Sequence, residues 1–202
     1  MIPTESEINA KSLYDSMRKH GSTAKGLLTP NKQTHQRRLD AAALLARYCV
    51  DRWRKGRVLD IGCGYGDMIP RLGQITADYD YTGIDMTTWI LDVARNNFGD
   101  KANVRFREEK MEELDDRHAA DLVLMLGILA TVNDEELEST LKLASSLSRK
   151  ALIASWTAKD KSYTGTLKAH RIEQLNEFLG PHCMIIGFGP KEPHKIALWL
   201  KT

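Results

Sequence analysis

Residues 58–67, which read VLDIGCGYGD, decide the fold of this chain. The apolar run before the first glycine predicts a short buried β-strand, and the three glycines predict a tight turn that leads into a helix. Glycine is required where the backbone turns sharply or lies against a ligand with no side chain in between. This stretch therefore predicts a strand–turn–helix unit that binds a ligand.

Strands and helices alternate on both sides of this unit. An amphipathic helix is predicted just before it, at 35–53, and apolar strands follow it at 80–85, 104–107, 121–126 and 150–156. Two apolar runs near the carboxyl end, at 183–188 and 195–200, are joined closely enough to form an antiparallel pair. The alternation predicts an α/β fold with a doubly wound, mostly parallel, seven-stranded sheet that has an antiparallel edge strand. Such sheets bind ligands at the carboxyl ends of their strands.

The 202 residues fit one compact domain. Residues 1–34 lack a strong helical or strand period and contain Gly21, Gly26 and Pro30, so they are predicted to form an arm or lid. Residues 35–202 are predicted to form the ligand-binding domain.

Several classes of protein are excluded by the composition. The longest apolar run, 122–130, is far shorter than a membrane span, and the amino terminus lacks the basic and apolar parts of a signal peptide. The three cysteines contain no CxxC pair, so neither a disulfide framework nor a zinc site is predicted. We expect a reduced, cytoplasmic protein without a metal site and without a membrane partner.

The charge is distributed unevenly along the chain, although the net charge is only +2. Residues 1–57 carry 12 Lys and Arg against 5 Asp and Glu, whereas residues 58–138 carry 7 against 18. The basic residues are scattered and contain no run of like charges, which favours a solvated basic helix. A basic arm that binds nucleic acid remains the alternative.

The glycine spacing discriminates between cofactors. A dinucleotide fingerprint reads GxGxxG and places a pyrophosphate at a helix amino terminus, whereas this turn reads GxGxG. Asp60 and Asp67 would repel an anion but would attract a ligand with an ammonium and a sulfonium group. The pattern therefore favours S-adenosylmethionine over NAD or ATP.

At this point the sequence resembles the class I S-adenosylmethionine-dependent methyltransferases. VLDIGCGYGD resembles the first motif of that family, YTGIDM at 81–86 resembles the second, and DLVLMLGILATVNDEE at 121–136 resembles the fourth strand with its loop. The resemblance covers about residues 37–201. It implies the Rossmann-like methyltransferase fold, S-adenosyl-L-methionine as cofactor and S-adenosyl-L-homocysteine as product.

The resemblance also assigns roles to individual residues. Asp60 would hold the ammonium group, and Asp85 would accept both ribose hydroxyls, since one carboxylate can take two donors. Met86 would pack on the adenine. The remaining assignments are the methionine and ribose contacts of Gly62, Gly64 and Gly66, the methionine contacts of Leu126 and Gly127, and three candidates for the adenine amine: Glu109, Lys110 and the backbone amide of Met111.

No catalytic base stands out in the sequence. Alignment of a nucleophile with the methyl carbon and sulfur in a dry pocket can supply much of the rate enhancement, so a base is needed only when the acceptor keeps its proton. Tyr14, His35 and Tyr163 are the candidates, and the loop after 126 lacks the signature of nucleobase amino-group methylases.

The sequence thus predicts a methyltransferase that acts on an O, N or S nucleophile of a small molecule. The alternatives are a methyltransferase of RNA or protein, and a non-catalytic protein that binds S-adenosylmethionine. The acceptor, the acceptor atom and the oligomeric state are left open by the sequence.

Overall fold

A computed structural model describes residues 5–21, 32–53, 55–73, 79–158, 168–188 and 193–201. Within them the strands are β1 Gly56–Ile61, β2 Tyr79–Asp85, β3 Val104–Glu108, β4 Ala120–Leu126, β5 Ser148–Ala158, β6 Ala169–His170, β7 Met184–Gly187 and β8 His194–Leu200. The helices are α1 Glu5–His20, α2 Lys32–Trp53, α3 Ile69–Leu72, α4 Thr88–Phe98, α5 Asp134–Leu147 and α6 Ile172–Leu179. Single 3-10 turns occur at Met111–Glu113, Asp116–His118 and Ile128–Ala130.

The strands form one sheet in the order β3-β2-β1-β4-β5-β8-β7, and β6 pairs with β5 beside this path. The first five strands are parallel to one another, whereas β8 is antiparallel to both β5 and β7. This confirms the predicted α/β fold with its mostly parallel sheet and antiparallel pair. The antiparallel strand β8 lies one position inside the edge strand β7. The additional β6 has two residues, too few to show a period in the sequence.

Alternate residues of the strands pack into two core layers on opposite faces of the sheet. On one face, Val58 and Leu122 pack with α2 and α3, and on the other, Leu59 and Val123 pack with α5 and α6. Helix α5 begins after Asn133, whose side chain accepts a hydrogen bond from the Glu136 N–H at 2.8 Å. Helices therefore pack on both faces of the sheet at β4, and ligands have access to this strand at its end.

Helix α1 was not predicted from the sequence. Its side chains are mostly polar, and only a few apolar residues, among them Tyr14 and Met17, face the body of the protein. So few apolar positions do not produce a clear helical period. No helix in the described part of the chain has the length and apolar character needed to span a membrane.

Candidate functional site

A cavity of about 150 Å³ lies at the carboxyl ends of β1, β2, β4 and β5. Its floor is the glycine turn that follows β1, and α1 and α2 form its roof. Parallel strands all end at the same edge of a sheet, so their terminal residues converge here. The cavity is lined by Leu13, Tyr14, Met17, His35, Arg38, Leu39, Asp60, Gly62, Cys63, Gly64, Tyr65, Asp67, Met68, Asp85, Leu126, Gly127, Ile128, Ala130, Thr131 and Ser155.

The glycine turn has a backbone that other residues rarely adopt. Gly62, Gly64 and Gly66 have φ angles of 69°, 55° and 78°, in the left-handed region that favours glycine. A Cβ atom at Gly62 would also collide with the Ile128 side chain. The turn therefore brings bare backbone to the floor of the cavity, where a ligand can lie directly against it.

Asp60 ends β1 beneath the cavity, and its side chain is only 2% exposed. The Tyr81 hydroxyl donates a hydrogen bond of 2.6 Å to its Oδ2. Burial raises the pKa of Asp60 to about 7, although the hydrogen bond from Tyr81 acts in the opposite direction. A cation placed beside this carboxylate would favour its ionised form, so the site is suited to an ammonium group.

Asp85 ends β2 on the other side of the glycine turn. Its Oδ2 accepts the Gly64 N–H at 3.1 Å, and its Oδ1 accepts the Thr87 N–H at 3.0 Å and the Tyr14 hydroxyl at 3.4 Å. Burial raises the pKa of this carboxyl above its usual value. The two oxygens offer about four acceptor positions, and these donors occupy them together with the Thr87 side chain. Two incoming hydroxyls would therefore have to displace some of these donors.

Arg38 brings a positive charge to the same cavity from α2. Its guanidinium donates to Ser155 Oγ at 3.5 Å, and this oxygen also accepts the Gly127 N–H at 2.9 Å. Burial and the nearby Arg38 charge lower the pKa of His194 to about 3, so this neighbouring imidazole stays neutral. Asp60 and Arg38 thus place opposite charges around one cavity. This arrangement is complementary to a group that carries both an ammonium and a carboxylate.

Helix α1 closes the cavity from above. Met17 is 4% exposed and packs with Tyr65, whose hydroxyl donates to the Met17 carbonyl at 3.3 Å. On α2, His35 Nε2 lies 3.7 Å from Asp67 Oδ2, and both residues line the cavity. The roof therefore contributes the Tyr14 phenol and the His35 imidazole, which lies beside the Asp67 carboxylate of the glycine turn.

The sequence of the core agrees with this geometry. Residues 58–150 match the profile of a protein family described as "Methyltransferase domain". These residues form a methyltransferase domain, and the protein is an S-adenosylmethionine-dependent methyltransferase. Its cofactor is S-adenosylmethionine, as the glycine spacing predicts.

Solved structures share the fold at low sequence identity. Magnesium protoporphyrin IX methyltransferase (ChlM) from Synechocystis PCC 6803 with bound SAM is 18% identical, with a TM-score of 0.78 over 100% of this chain and 99% of that chain. N-methyltransferase NodS from Bradyrhizobium japonicum WM9 in complex with S-adenosyl-L-homocysteine is 15% identical, with a TM-score of 0.73 over 95% and 97%. A sequence comparison with curated proteins found no match.

The structure brings most of the predicted cofactor residues to one cavity. Asp60, Gly62, Gly64, Asp85, Leu126 and Gly127 line it, as do the candidate bases Tyr14 and His35. Gly66 lies buried in the turn itself, and Met86 lies outside the cavity with 47% of its surface exposed. The third candidate base, Tyr163, falls outside the described residues.

The three candidates for the adenine amine lie beside the cavity and do not line it. The Glu109 carboxylate is engaged elsewhere, because its Oε2 lies 2.8 Å from His118 Nε2 and its Oε1 accepts from Arg107 at 3.4 Å. The Lys110 N–H donates to the Glu113 side chain at 2.9 Å, and Met111 packs against the core. Sequence reasoning did not anticipate the partners of Glu109, since they come from a strand and a turn on either side of it.

Two residues that line the cavity were not predicted as site residues. Arg38 shares a helix face with His35, and Ser155 lies inside an otherwise apolar strand. The i, i+3 spacing of His35 and Arg38 was the available signal for Arg38, since both side chains had to face one partner. Nothing in the local sequence distinguishes Ser155 from a buried packing residue.

Proposed function

We propose that the protein transfers the methyl group of S-adenosylmethionine to an O, N or S nucleophile of a small molecule. The observation that carries this proposal is the roof over the cavity. Tyr14 and Met17 of α1 and Arg38 of α2 line the cavity above the glycine turn. Helices that lie over the methyl site suit a small acceptor, whereas a nucleic acid or protein would require an open groove.

The described residues fit the cofactor, part by part. Asp60 is proposed to hold the ammonium group and Arg38 the carboxylate, so that each end of the zwitterion meets an opposite charge. Asp85 is proposed to accept the ribose hydroxyls. Met86 is proposed to pack on the adenine, because a large apolar side chain with 47% of its surface exposed gains most from being covered.

The cofactor supplies a sulfonium that is already a good leaving group, so the chain has to position the acceptor and exclude water. Met17, Leu39 and Ile128 contribute apolar walls to the cavity. Where the acceptor keeps its proton, we propose that His35 takes it. Asp67, 3.7 Å away, would orient the imidazole and stabilise its charged form.

We further propose that residues 1–34 act as a lid on the domain formed by 35–202. Tyr14 donates to Asp85 at 3.4 Å, at an oxygen that a ribose hydroxyl would use. Helix α1 therefore has to shift when the ribose binds, because the acceptor positions of Asp85 do not suffice for all donors. The lid would open for cofactor exchange and close over the acceptor.

The decisive experiment uses S-adenosylmethionine labelled on the methyl group. The protein is incubated with cell extract, which is then separated into small-molecule, RNA and protein pools, with an Asp85→Ala variant as the control for background labelling. We expect label in the small-molecule pool. Label confined to RNA or protein would disprove the proposed acceptor class, and cofactor binding without label in any pool would point to a non-catalytic binding protein.

A further inference from the structure

A second groove lies on the face of the sheet that α5 covers elsewhere. Leu59, Thr82 and Arg105 form one row across β1, β2 and β3, since Leu59 pairs with Thr82 and Thr82 with Arg105. Helix α5 packs on β4 and β5, and a groove of about 270 Å³ lies over the row formed by the other three strands. No residue lines both this groove and the cofactor cavity.

The groove is lined by four arginines, Arg57, Arg105, Arg107 and Arg117. Residues 58–138 carry 7 Lys and Arg against 18 Asp and Glu, yet three of those seven basic side chains line this one groove. Arginine side chains are therefore concentrated here within an otherwise acidic part of the chain, and the carboxylates of Asp80, Glu109 and Asp115 pair with three of them. The charged and titratable residues of the lining are Arg57, Arg105, Arg107, Arg117, His118 and a single acid, Asp80.

Ion pairs orient three of these arginines and leave some of their N–H donors for another anion. Arg105 lies 3.7 Å from Asp80, and Arg107 lies 3.4 Å from Glu109. Arg117 lies 2.8 Å from Asp115, and the side chains of all three arginines are more than half exposed. Exposed pairs of this kind contribute little to stability, and a guanidinium has five N–H donors, of which one carboxylate uses only some. The remaining donors can bind another anion.

We propose that this groove binds a small molecule through a pyrophosphate or another multiply charged phosphate group. The planar guanidinium matches two phosphate oxygens at once, and a multiply charged group can bridge several arginines. The Thr82 hydroxyl, in the row between Leu59 and Arg105, offers one more donor. A single concavity across three strands suits one compact anion, whereas a nucleic acid chain would require cations along an extended track.

Titration calorimetry with inorganic pyrophosphate at physiological ionic strength tests the proposal. Wild type is expected to bind saturably, and the Arg57→Gln/Arg105→Gln variant about tenfold or more weakly, because charge-assisted hydrogen bonds are lost. The matched control is Arg95→Gln/Lys142→Gln, which removes the same charge from two ion-paired surface sites outside the groove and should bind as wild type does.

Three outcomes would overturn the proposal. These are the absence of saturable binding to wild type, an equal loss in the control variant, and RNA binding that pyrophosphate does not displace. The affinity for S-adenosyl-L-homocysteine is measured on the same samples and should be the same in all of them. A loss of that affinity would concern the cofactor site, so the two sites are tested separately.

Discussion

Lowering the pH should weaken the binding of S-adenosyl-L-homocysteine through Asp60. Burial raises the pKa of this carboxyl to about 7, so near pH 6 most molecules carry it protonated and neutral. A neutral carboxyl does not attract the ammonium group of the ligand. Binding therefore has to select the ionised form, and the affinity falls with the fraction of Asp60 that is ionised.

The magnitude follows from that fraction. With a pKa of about 7, about a tenth of the Asp60 side chains are ionised at about pH 6 and about three quarters at about pH 7.5. The dissociation constant should therefore be about eightfold higher at the lower pH, or about 1.2 kcal/mol. Binding at the lower pH should also release close to one proton.

Titration calorimetry in two buffers with different ionisation enthalpies measures both quantities. The control ligand is 5′-methylthioadenosine, which lacks the amino acid part and should show no such pH dependence. An Asp60→Asn variant should lose the pH dependence, and Tyr81→Phe should move its midpoint to higher pH, because Tyr81 donates to the ionised carboxylate. Equal affinities at both pH values, or the same slope for both ligands, would refute the assignment of the ammonium to Asp60.

Three further predictions concern the cavity. Asp85→Ala should weaken S-adenosyl-L-homocysteine binding about 10- to 150-fold with the fold intact, by loss of hydrogen bonds to a charged group, and an unchanged calorimetric affinity would remove Asp85 from the site. Tyr14→Phe should bind the same ligand about two- to tenfold more tightly, because it frees an acceptor position, whereas weaker binding would mean that the Tyr14 hydroxyl contacts the ligand. Arg38→Gln should weaken S-adenosyl-L-homocysteine binding about tenfold or more and leave 5′-methylthioadenosine binding unchanged, and an equal loss for both ligands would contradict the carboxylate contact.

The sheet and the glycine turn could be predicted because their signals are local. The strands at 58–61 and 121–126 are short apolar runs bounded by turn residues, and the glycines occupy backbone angles that other residues rarely adopt. The placement of Asp60 and Asp85 at strand ends follows from the same patterns. Because parallel strands end at one edge, their convergence is predictable without coordinates.

The roof and the electrostatics of the site were decided by tertiary packing. Helix α1 has too few apolar residues for a recognisable period, and it lies over the glycine turn because Met17 and Tyr14 find partners in distant parts of the chain. The raised pKa of Asp60 depends on burial, which no local pattern reports. The sequence predicted Glu109 as a candidate for the adenine amine, whereas in the structure its carboxylate lies 2.8 Å from His118 Nε2.

Sequence alone therefore determined the fold, the cofactor and the residues at the strand ends, since these depend on local hydrophobic periods and backbone angles. Only the tertiary structure decided that Arg38 joins Asp60 around one cavity and that Arg57 and Arg105 line a separate groove. Side chains such as these are brought together by helix packing and strand register, which relate residues far apart in the chain. The local sequence around a charged residue on a helix or strand does not show whether its side chain faces solvent or a ligand.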